Sequence, residues 1–434
     1  MTATDAVQFT RSAARVLGDS LRANSKGMRV RRSAAIDAAI TNYDPLDPAT
    51  AAQPHAAYRR LHAGSRVQYN PRRSVWILSR LDDVRAALRD DAALSSADGP
   101  TRVRFPVPVL VSTDGDKHAQ LRRKVLPAFT KAALESWRST IDQLASETVR
   151  EVLNNPGCDV VQRLAIPIPV RLIAQLLGVP DDDVEDFRRW SEASVQITDI
   201  ALTSGGARKL ATALAGSWAM HRYFKRQFGF GGLKGSTSIL GRLLAENESG
   251  SLTDDELFQF AMLLLLAGNE TTTNVLGGMF ATMAAHPEEF DAVRSDHELI
   301  PMAIEESLRY LSPAQNLYRT ALSDYRVGEV VIPAGSRVLL CIGAANRDPR
   351  VFDEPDMFRV RRNPTQHIAF GFGVHLCIGA MLTRMEAQAV LRELVTRVRR
   401  ISVVGEPTWS TSSLLRGPTR LPVRLVPTPD QQSG

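Results

Sequence analysis

The chain of 434 residues is long enough for about three average domains, but an apolar content of 44% also suits one large packed core. This composition excludes disorder for the bulk of the chain. The 53 basic and 47 acidic residues leave a net charge of +6, which does not favour a dedicated nucleic-acid or polybasic membrane binder. The three cysteines form no close pair in the sequence. We therefore expect neither a disulfide framework nor a C-x-x-C metal site, but a reducing compartment, the cytoplasm.

The N-terminal segment is basic and lacks the apolar core of a secretory signal. We expect residues 1–45 to form a flexible extension and residues 46–434 to form a single domain, with an organellar transit peptide as the alternative for the extension. The longest apolar run, residues 260–268, has about half of the 18 residues that a membrane-spanning helix needs. We therefore expect a soluble protein without a membrane span. The basic residues of the extension are Arg11, Arg15, Arg22, Lys26, Arg29, Arg31 and Arg32.

Strand-like segments are short and lie near the two ends of the chain. Residues 66–69 and 74–78, separated by Asn-Pro-Arg-Arg, predict a hairpin. Helical spacing dominates from about residue 117 onward. The patterns predict a mainly α chain with a small β lobe, an α+β fold. Further extended pieces are predicted at 327–340 and 421–426, and amphipathic helices at 131–154, 181–195, 207–228 and 378–400.

The most informative predicted helix begins at Thr253 and runs to about His286, before Pro287. Thr253 and Glu256 form a capping box, and further acids stand at the positive helix end. The helix is apolar almost all round through residues 263–266, and polar residues at 269–273 interrupt this pattern. Burying polar side chains in the middle of a helix costs free energy unless they are hydrogen-bonded. These residues therefore either serve a function or form a threonine cluster whose hydroxyls bond to carbonyls one turn earlier.

A cysteine stands in the segment FGFGVHLCIG at 370–379, directly ahead of a helix that starts near Ala380. Glycines allow the backbone to approach a flat group closely. The helix dipole favours the thiolate of Cys377, which suits a nucleophile or a metal ligand, whereas a lone cysteine can also be an inert core thiol. The complete pattern F-x-x-G-x-[HR]-x-C-x-G, with fixed residues at fixed spacing, argues against the inert thiol.

This pattern resembles the signature of the haem-thiolate monooxygenases, the cytochrome P-450 superfamily, and the resemblance extends over nearly the whole chain beyond the N-terminal extension. It implies the fold of that family, with the long central helix crossing a b-type haem (iron protoporphyrin IX). It also implies that Cys377 is the proximal thiolate ligand of the iron, that Phe370 packs on the sulfur side and that Gly371 and Gly379 admit the macrocycle. Such a thiolate donates electron density through iron and favours O–O cleavage.

The segment AGNETT at 267–272 resembles the family's A-G-x-[DE]-T-[TS] element on the distal side of the haem. The resemblance implies that Ala267 faces the haem and that Gly268 leaves room for dioxygen. It also implies that Glu270 and Thr271 position water and relay protons, which is general acid catalysis. The acid and alcohol pair favours dioxygen with two delivered electrons over a peroxide-driven reaction.

Four basic positions match the family's ligands of the haem propionates. Forked arginine donors are well suited to carboxylates, and His118 and Arg122 stand one helical turn apart. His367 is a weaker candidate that could only brace the loop. The four implied propionate ligands are His118, Arg122, Arg319 and His375.

Three further charged residues resemble the family's structural E-x-x-R element and its partner. Glu306 and Arg309 stand three apart on a predicted helix, and Arg362 matches the residue that ties this helix to the cysteine loop. ANRDP at 345–349 also matches a structural segment of the family. By contrast, DGDK at 114–117 departs from the family's usual prolines and leaves the entry to the next helix uncertain.

The resemblance implies a hydrophobic small-molecule substrate such as a terpenoid, steroid, fatty acyl or polyketide compound, hydroxylated or epoxidised in the site. Gln315, Asn316 and Ser412 could contact an oxygenated substrate, although a surface role is equally compatible with the sequence. The expected substrate-facing segments are 94–111, 190–230, 263–271, 312–318 and 413–415.

The sequence contains no flavin or nicotinamide module, so we expect no bound flavin or NAD(P) and electrons from NAD(P)H through a ferredoxin and its reductase. A basic face could steer an acidic ferredoxin, or could simply be solvated. A non-catalytic haem-thiolate ligand-binding or sensor protein is the alternative, and nitric oxide reduction by direct hydride transfer is a third possibility. The residues expected in the docking face are Arg122, Arg123, Lys124, Arg384, Arg392 and Arg397.

Overall fold

The structure, a computed structural model, describes residues 39–104, 109–195, 204–229, 238–246 and 253–429. These residues form two compact units. The first unit is drawn from residues 1–120, 278–380 and 407–419, and the second from residues 121–277, 381–406 and 420–434. Most of the basic extension predicted from the sequence, residues 1–38, lies outside the described residues.

The described helices agree with a mainly α chain. In chain order they are α1 (Pro48–Ala52), α2 (His55–Ala63), α3 (Leu81–Arg89), α4 (Gly115–Val125), α5 (Lys131–Glu135), α6 (Arg138–Asn154), α7 (Pro167–Leu177), α8 (Val184–Val195), α9 (Ser204–Gly229), α10 (Ile239–Glu246), α11 (Asp254–Ala285), α12 (Pro287–Ser295), α13 (Ile300–Leu311), α14 (Ile342–Ala345) and α15 (Ala380–Arg397).

The described strands are short, as the sequence predicts. In chain order they are β1 (Ala39–Ile40), β2 (Val67–Asn70), β3 (Val75–Leu78), β4 (Leu94–Ser95), β5 (Leu317–Ala321), β6 (Tyr325–Val327), β7 (Val330–Ile332), β8 (Arg337–Leu340), β9 (Val398–Val403), β10 (Thr408–Trp409), β11 (Pro418–Arg420) and β12 (Val423–Pro427).

A six-stranded sheet forms the centre of the first unit, in the order β1-β2-β3-β8-β5-β4. The predicted hairpin is confirmed, because β2 and β3 pair antiparallel with Val67 opposite Leu78. Alternate residues of β3 belong to two different apolar clusters: Trp76 and Leu78 to one, Val75 and Ile77 to the other. Since successive side chains of a strand point to opposite faces, this sheet is buried on both sides.

The described part of the predicted N-terminal extension packs on this sheet. Ala39 and Ile40 pair in parallel with β2. Tyr43 is buried, and the Asp44 carboxylate lies 2.7 Å from a guanidinium nitrogen of Arg73. Residues 39–45 are therefore an ordered edge of the first unit in this structure.

One predicted helix ends earlier than its sequence suggests. The helix expected over 378–400 begins at Ala380 and ends at Arg397, and residues 398–403 form β9, which pairs antiparallel with β12. Val398 and Ile401 are buried, and β-branched residues favour an extended, half-buried strand. The ladder to β12 therefore overrides the local helical pattern. The helix expected over 131–154 is likewise divided into α5 and α6.

The long helix predicted from Thr253 is confirmed as α11, with 32 residues. Its capping box is formed: the Glu256 backbone N–H donates to Thr253 Oγ1 at 3.2 Å, and the Thr253 N–H donates to the Glu256 carboxylate at 2.9 Å. These bonds satisfy two of the donors that every helix N-terminus leaves unpaired.

The second unit contains a buried acid on α15, Glu386. Only 3% of its surface is exposed, and among the described residues its Oε2 atom has no hydrogen-bond partner. Burial raises the pKa of Glu386 from its ordinary value of 4.5 to about 8. One turn earlier on the same helix, Thr383 Oγ1 lies 3.4 Å from Thr272 Oγ1 of α11.

We expect Glu386 to make folding pH-dependent. The folded chain retains the proton up to about pH 8, whereas the unfolded chain releases it near pH 4.5. Between these two pH values the folding equilibrium constant therefore falls by about tenfold per pH unit, and above them it levels off. Glu386→Gln should remove this loss. Denaturant unfolding at a series of pH values measures it, with Glu393→Gln as the control, because Glu393 is ion-paired with Arg397 on the same helix. Parallel pH profiles for wild type and Glu386→Gln would contradict the expectation.

Candidate haem-thiolate site

The cysteine loop of the first unit is a tight turn that encloses Cys377. The Cys377 N–H donates to the carbonyl of Phe370 at 2.9 Å. Gly371 and Gly373 have φ values of +75° and +74°, a region that favours glycine. A Cβ atom at Gly373 would lie 2.9 Å from the carbonyl oxygen of Leu88 on α3, so the loop also needs glycine here for close packing. No such contact is found at Gly379, where an added Cβ would meet only the Cys377 sulfur, at 3.9 Å.

The three cysteines stand in different surroundings. Cys377 is exposed and lies three residues before α15. Cys341 is fully buried, its sulfur lies 3.6 Å from the Tyr43 hydroxyl, and burial raises its pKa to about 11. Burial also raises the pKa of the partly buried Cys158. Because a metal ligand must be an accessible thiolate, Cys377 is the candidate that the structure favours.

The structure brings together the three predicted structural residues of the first unit. Both side chains of the Glu306–Arg309 pair are fully buried, and Arg309 Nε donates to the Glu306 carboxylate at 2.7 Å. Arg362 Nε donates to the same carboxylate at 3.0 Å. Arg309 also donates to the carbonyl of Asn346 at 3.0 Å, and the Asn346 side chain accepts the N–H of Ile368 at 2.8 Å. This chain of bonds leads from α13 to the start of the cysteine loop.

His367 braces the loop, as the weaker sequence hypothesis suggested. Its Nδ1 atom accepts the Ala369 N–H at 3.2 Å, so the proton of a neutral ring must reside on Nε2. Nε2 lies 2.8 Å from the Glu305 carboxylate. Both ring nitrogens are therefore engaged by the protein.

Three of the four predicted propionate ligands lie in the first unit. The rings of His118 and His375 lie 4.2 Å apart, centroid to centroid. Arg319 is 3% exposed, and among the described residues its guanidinium makes one hydrogen bond, to the Tyr318 carbonyl at 3.1 Å. Arg122 follows His118 by one turn of α4 and is partly exposed.

Arg319 provides a test of whether this set of residues fits haem. Burial lowers the pKa of Arg319 to about 10, and the negative charges of Asp114 and Asp91 oppose this shift. A buried guanidinium with five donors and one hydrogen bond is incompletely compensated. A carboxylate ligand would supply the missing charge and acceptors, so these residues fit a haem propionate.

Sequence reasoning missed Asp114, which it treated only as part of an unusual helix entry. Asp114 stands directly before α4, and its carboxylate accepts the hydroxyls of Ser95 at 2.5 Å and Ser96 at 2.6 Å. His375 Nε2 lies 2.8 Å from Ser96 Oγ and 3.5 Å from the Asp114 carboxylate. The signal that could have found it is an acid at the entry of the helix that carries the predicted ligands His118 and Arg122.

The predicted distal segment lies in the second unit, on α11. Ala267 is exposed and Thr271 partly exposed, one turn apart on a helix that is otherwise largely buried here. Thr271 Oγ1 donates to the Ala267 carbonyl at 2.5 Å, so the back-bonding alternative describes this residue in the structure. Thr273 behaves differently, because its hydroxyl donates to the Ala165 carbonyl of another segment at 3.1 Å. Glu270 is partly exposed.

Gly268 has a packing reason that the sequence did not reveal. A Cβ atom there would lie 2.5 Å from Cδ1 of Ile173 on α7, so any other residue would require the Ile173 side chain to shift. The neighbouring Asn269 is buried and donates to Ser191 Oγ of α8 at 2.9 Å. The expected role of Gly268 beside dioxygen stays a prediction.

The polar residues expected to contact substrate are mostly engaged by the protein. The Gln315 amide donates to the carbonyls of Leu311 and Ser312 and accepts the Tyr58 hydroxyl. Asn316 donates to the Ser413 carbonyl at 2.6 Å, while its Oδ1 atom has no partner among the described residues. Part of the expected substrate-facing surface, at 105–108, 196–203 and 230, lies outside the described residues.

Several residues of the expected ferredoxin face have acidic neighbours. Lys124 pairs with Glu256 at 3.2 Å, Arg392 with Asp142 at 3.5 Å, and Arg397 with Glu393 at 2.6 Å. Arg123 is exposed on α4. Paired charges attract an acidic partner less than isolated ones do, so this face is less positive than the sequence alone implies.

Comparisons with known proteins agree with this geometry. The family model described as Cytochrome P450 matches residues 234–412. The beta-dihydromenaquinone-9 omega-hydroxylase of Mycobacterium tuberculosis is 48% identical over 388 residues, which cover 89% of this chain and 79% of the relative. Cytochrome P450 107B1 of Saccharopolyspora erythraea is 34% identical, over 87% of this chain and 96% of the relative.

Solved structures of the same class superpose on the chain. Cytochrome P450 CYP109Q5 from Chondromyces apiculatus has a TM-score of 0.80 at 32% identity and covers 89% of this chain and 98% of its own. CYP109E1 from Bacillus megaterium, solved in complex with testosterone, has a TM-score of 0.77 at 32% identity, over 86% of this chain and 99% of its own.

The chain therefore belongs to the cytochrome P450 family of haem-thiolate monooxygenases. The α+β fold expected from the sequence is confirmed. Among the described residues, no helix combines the length and apolar character needed to cross a membrane.

We expect Glu306→Gln to destabilise the protein by about 3–5 kcal/mol, because it leaves the buried Arg309 guanidinium, and that of the partly buried Arg362, without their shared carboxylate. Glu305→Gln is the matched control on the same helix, since Glu305 is partly exposed. Denaturant unfolding measures both variants. Equal stability losses would show that burial of the ion pair does not decide the effect.

Proposed function

We propose that this protein is a monooxygenase that inserts one atom of dioxygen into a hydrophobic small molecule, and that the Cys377 thiolate would bind the iron of a b-type haem. The observation that carries this proposal is the exposed Cys377 in a glycine turn directly ahead of α15. When bound, the haem supplies dioxygen activation, with electron donation from the thiolate. The proposal treats residues 46–434 as one catalytic domain.

The basic residues of the site bind the haem carboxylates in this proposal. Arg319 gains acceptors for a guanidinium that burial has desolvated, which makes it the strongest of the four. The rings of His118 and His375 are in contact at a tilted angle, and Arg122 extends the set along α4. Phe370 holds the loop through its carbonyl, which accepts the Cys377 N–H.

On α11, Glu270 and Thr271 orient water and transfer protons in this proposal. The Thr271 hydroxyl proton is given to the Ala267 carbonyl, so the lone pairs of Oγ1 are available to accept a hydrogen bond from water. Thr271 thus orients a water molecule, and the neighbouring Glu270 carboxyl delivers protons to it. A purely ligand-binding protein has no need for this pair, and the pair therefore supports turnover.

The proposed substrate is apolar, and a long-chain isoprenoid compound is the first class to test. A relative named as a dihydromenaquinone hydroxylase is 48% identical, whereas Cytochrome P450 107B1 is 34% identical. Spectral titration with a menaquinone, with testosterone and with a fatty acid compares the candidates. A spin-state shift with the isoprenoid at the lowest concentration would support that class.

A reduced ferredoxin is the proposed electron donor, and a reducing cytoplasm is the proposed location. The basic residues of α4 and α15 offer a docking face for an acidic partner, and Arg123 is exposed on α4. The alternative is a non-catalytic haem-thiolate sensor. Substrate-dependent NAD(P)H consumption that requires a ferredoxin and its reductase distinguishes the two, and consumption without ferredoxin would instead favour direct hydride transfer.

We expect Cys377→Ser to abolish the strongly red-shifted Soret band of the reduced carbon monoxide complex, because that band requires thiolate ligation. The matched control is Cys341→Ser, which removes a buried thiol and should leave the band in place. Difference spectra of the dithionite-reduced proteins measure the outcome. A retained band in Cys377→Ser would overturn the assignment of the ligand.

We expect Thr271→Ala to uncouple turnover, with less product and more hydrogen peroxide per NAD(P)H, because water is no longer held at Oγ1. Thr273→Ala is the matched control, since that hydroxyl is bonded to the Ala165 carbonyl. Product, peroxide and NAD(P)H are measured in the same reaction. Unchanged coupling in Thr271→Ala would remove this residue from the mechanism.

A further inference from the structure

Asp114 brings a carboxylate into a cluster of side chains that is otherwise basic. Burial alone would raise the pKa of Asp114, but hydrogen bonds from His375, Ser95 and Ser96 outweigh this effect and hold the pKa below its ordinary range. The carboxylate also accepts the backbone N–H of Ser96 at 3.0 Å. Its described hydrogen bonds connect it to residues 95–97 and to His375, although it stands at the entry of α4.

A count of protons fixes the direction of the bonds in this cluster. The ionised Asp114 carboxylate has no proton, so Ser96 Oγ donates its single proton to Asp114 at 2.6 Å. Ser96 Oγ must then accept from His375, whose Nε2 atom lies 2.8 Å away. The proton of His375 therefore resides on Nε2, and Nδ1 is the ring nitrogen left for another contact.

The cluster connects the segments that present the basic residues. Ser95 belongs to β4 and is paired with Thr320 of β5, directly after Arg319. Asp114 acts on Arg319 as a favourable negative charge. His375 closes the turn at 373–375 that precedes Cys377, and its ring lies against that of His118. One carboxylate is thus linked to β4, to the entry of α4 and to the cysteine loop.

We propose that Asp114 and Ser96 are positioning residues of the haem site: they hold the His375 ring in one orientation, beside His118, before a haem propionate binds. The inference rests on the proposed function, because it needs haem in this site. Outer-shell partners of this kind orient the groups that contact the cofactor.

The test measures haem dissociation from the loaded protein by transfer to excess apomyoglobin, which requires no turnover. We expect Asp114→Asn and Ser96→Ala to lose haem about tenfold faster than wild type, the usual effect of removing an outer-shell partner. Ser95→Ala is the matched control for Ser96, because Ser95 bonds to Asp114 but not to His375. Asp91→Asn is the control for charge beside Arg319. Both controls should stay within about twofold of wild type.

A double-variant cycle separates positioning from general loss of structure. If Ser96 acts through His375, the pair Ser96→Ala and His375→Ala should lose haem no faster than His375→Ala alone. Multiplying effects, or equal rates for Ser96→Ala and Ser95→Ala, would overturn the inference. A wild-type protein without thiolate-ligated haem would instead refute the proposed function, and this inference with it.

Discussion

The buried Glu306–Arg309 ion pair is the interaction on which the cysteine loop depends. Two opposite charges without solvent are stable only when further hydrogen bonds satisfy their remaining donors and acceptors. Here the remaining Arg309 donors reach carbonyls of Asn346, Pro355 and Met357, and the carboxylate also accepts Arg362 Nε and the Arg359 N–H. The hydrogen bonds that satisfy this one buried pair therefore hold residues 346–362 in place. The Asn346 side chain also accepts the Ile368 N–H, which connects these residues to the cysteine loop.

The same principle separates structural polar residues from those available to a ligand. Gln315, Asn346 and His367 have their polar atoms hydrogen-bonded to the protein, so these side chains stabilise the fold and are not available to a ligand. Arg319 is buried with one described hydrogen bond and a lowered pKa. A buried cation with so few hydrogen bonds is the feature of this site that most strongly indicates an anionic ligand.

Sequence patterns predict local features of this protein better than contacts made across the chain. The capping box at Thr253 and the hairpin at 66–78 involve residues close in sequence, and both were predicted. The strand β9 was missed because its stability comes from β12, about 20 residues later. The close approach of Gly268 to Ile173 was missed because it joins positions almost a hundred residues apart. A family motif identifies Cys377 and Arg319, but no motif indicates that Asp114 meets Ser96 and His375.

Charge balance explains why an acidic side chain, Asp114, is useful in a site proposed to bind the haem propionates. Without haem, burial of the Arg319 guanidinium carries an uncompensated desolvation cost. Asp114 offsets part of this cost as a negative charge, while its carboxylate is hydrogen-bonded to Ser95 and Ser96 rather than held in a bidentate ion pair with Arg319. The guanidinium of Arg319 therefore keeps most of its donors for a ligand. An acid that paired fully with Arg319 would stabilise the empty site and compete with the propionate.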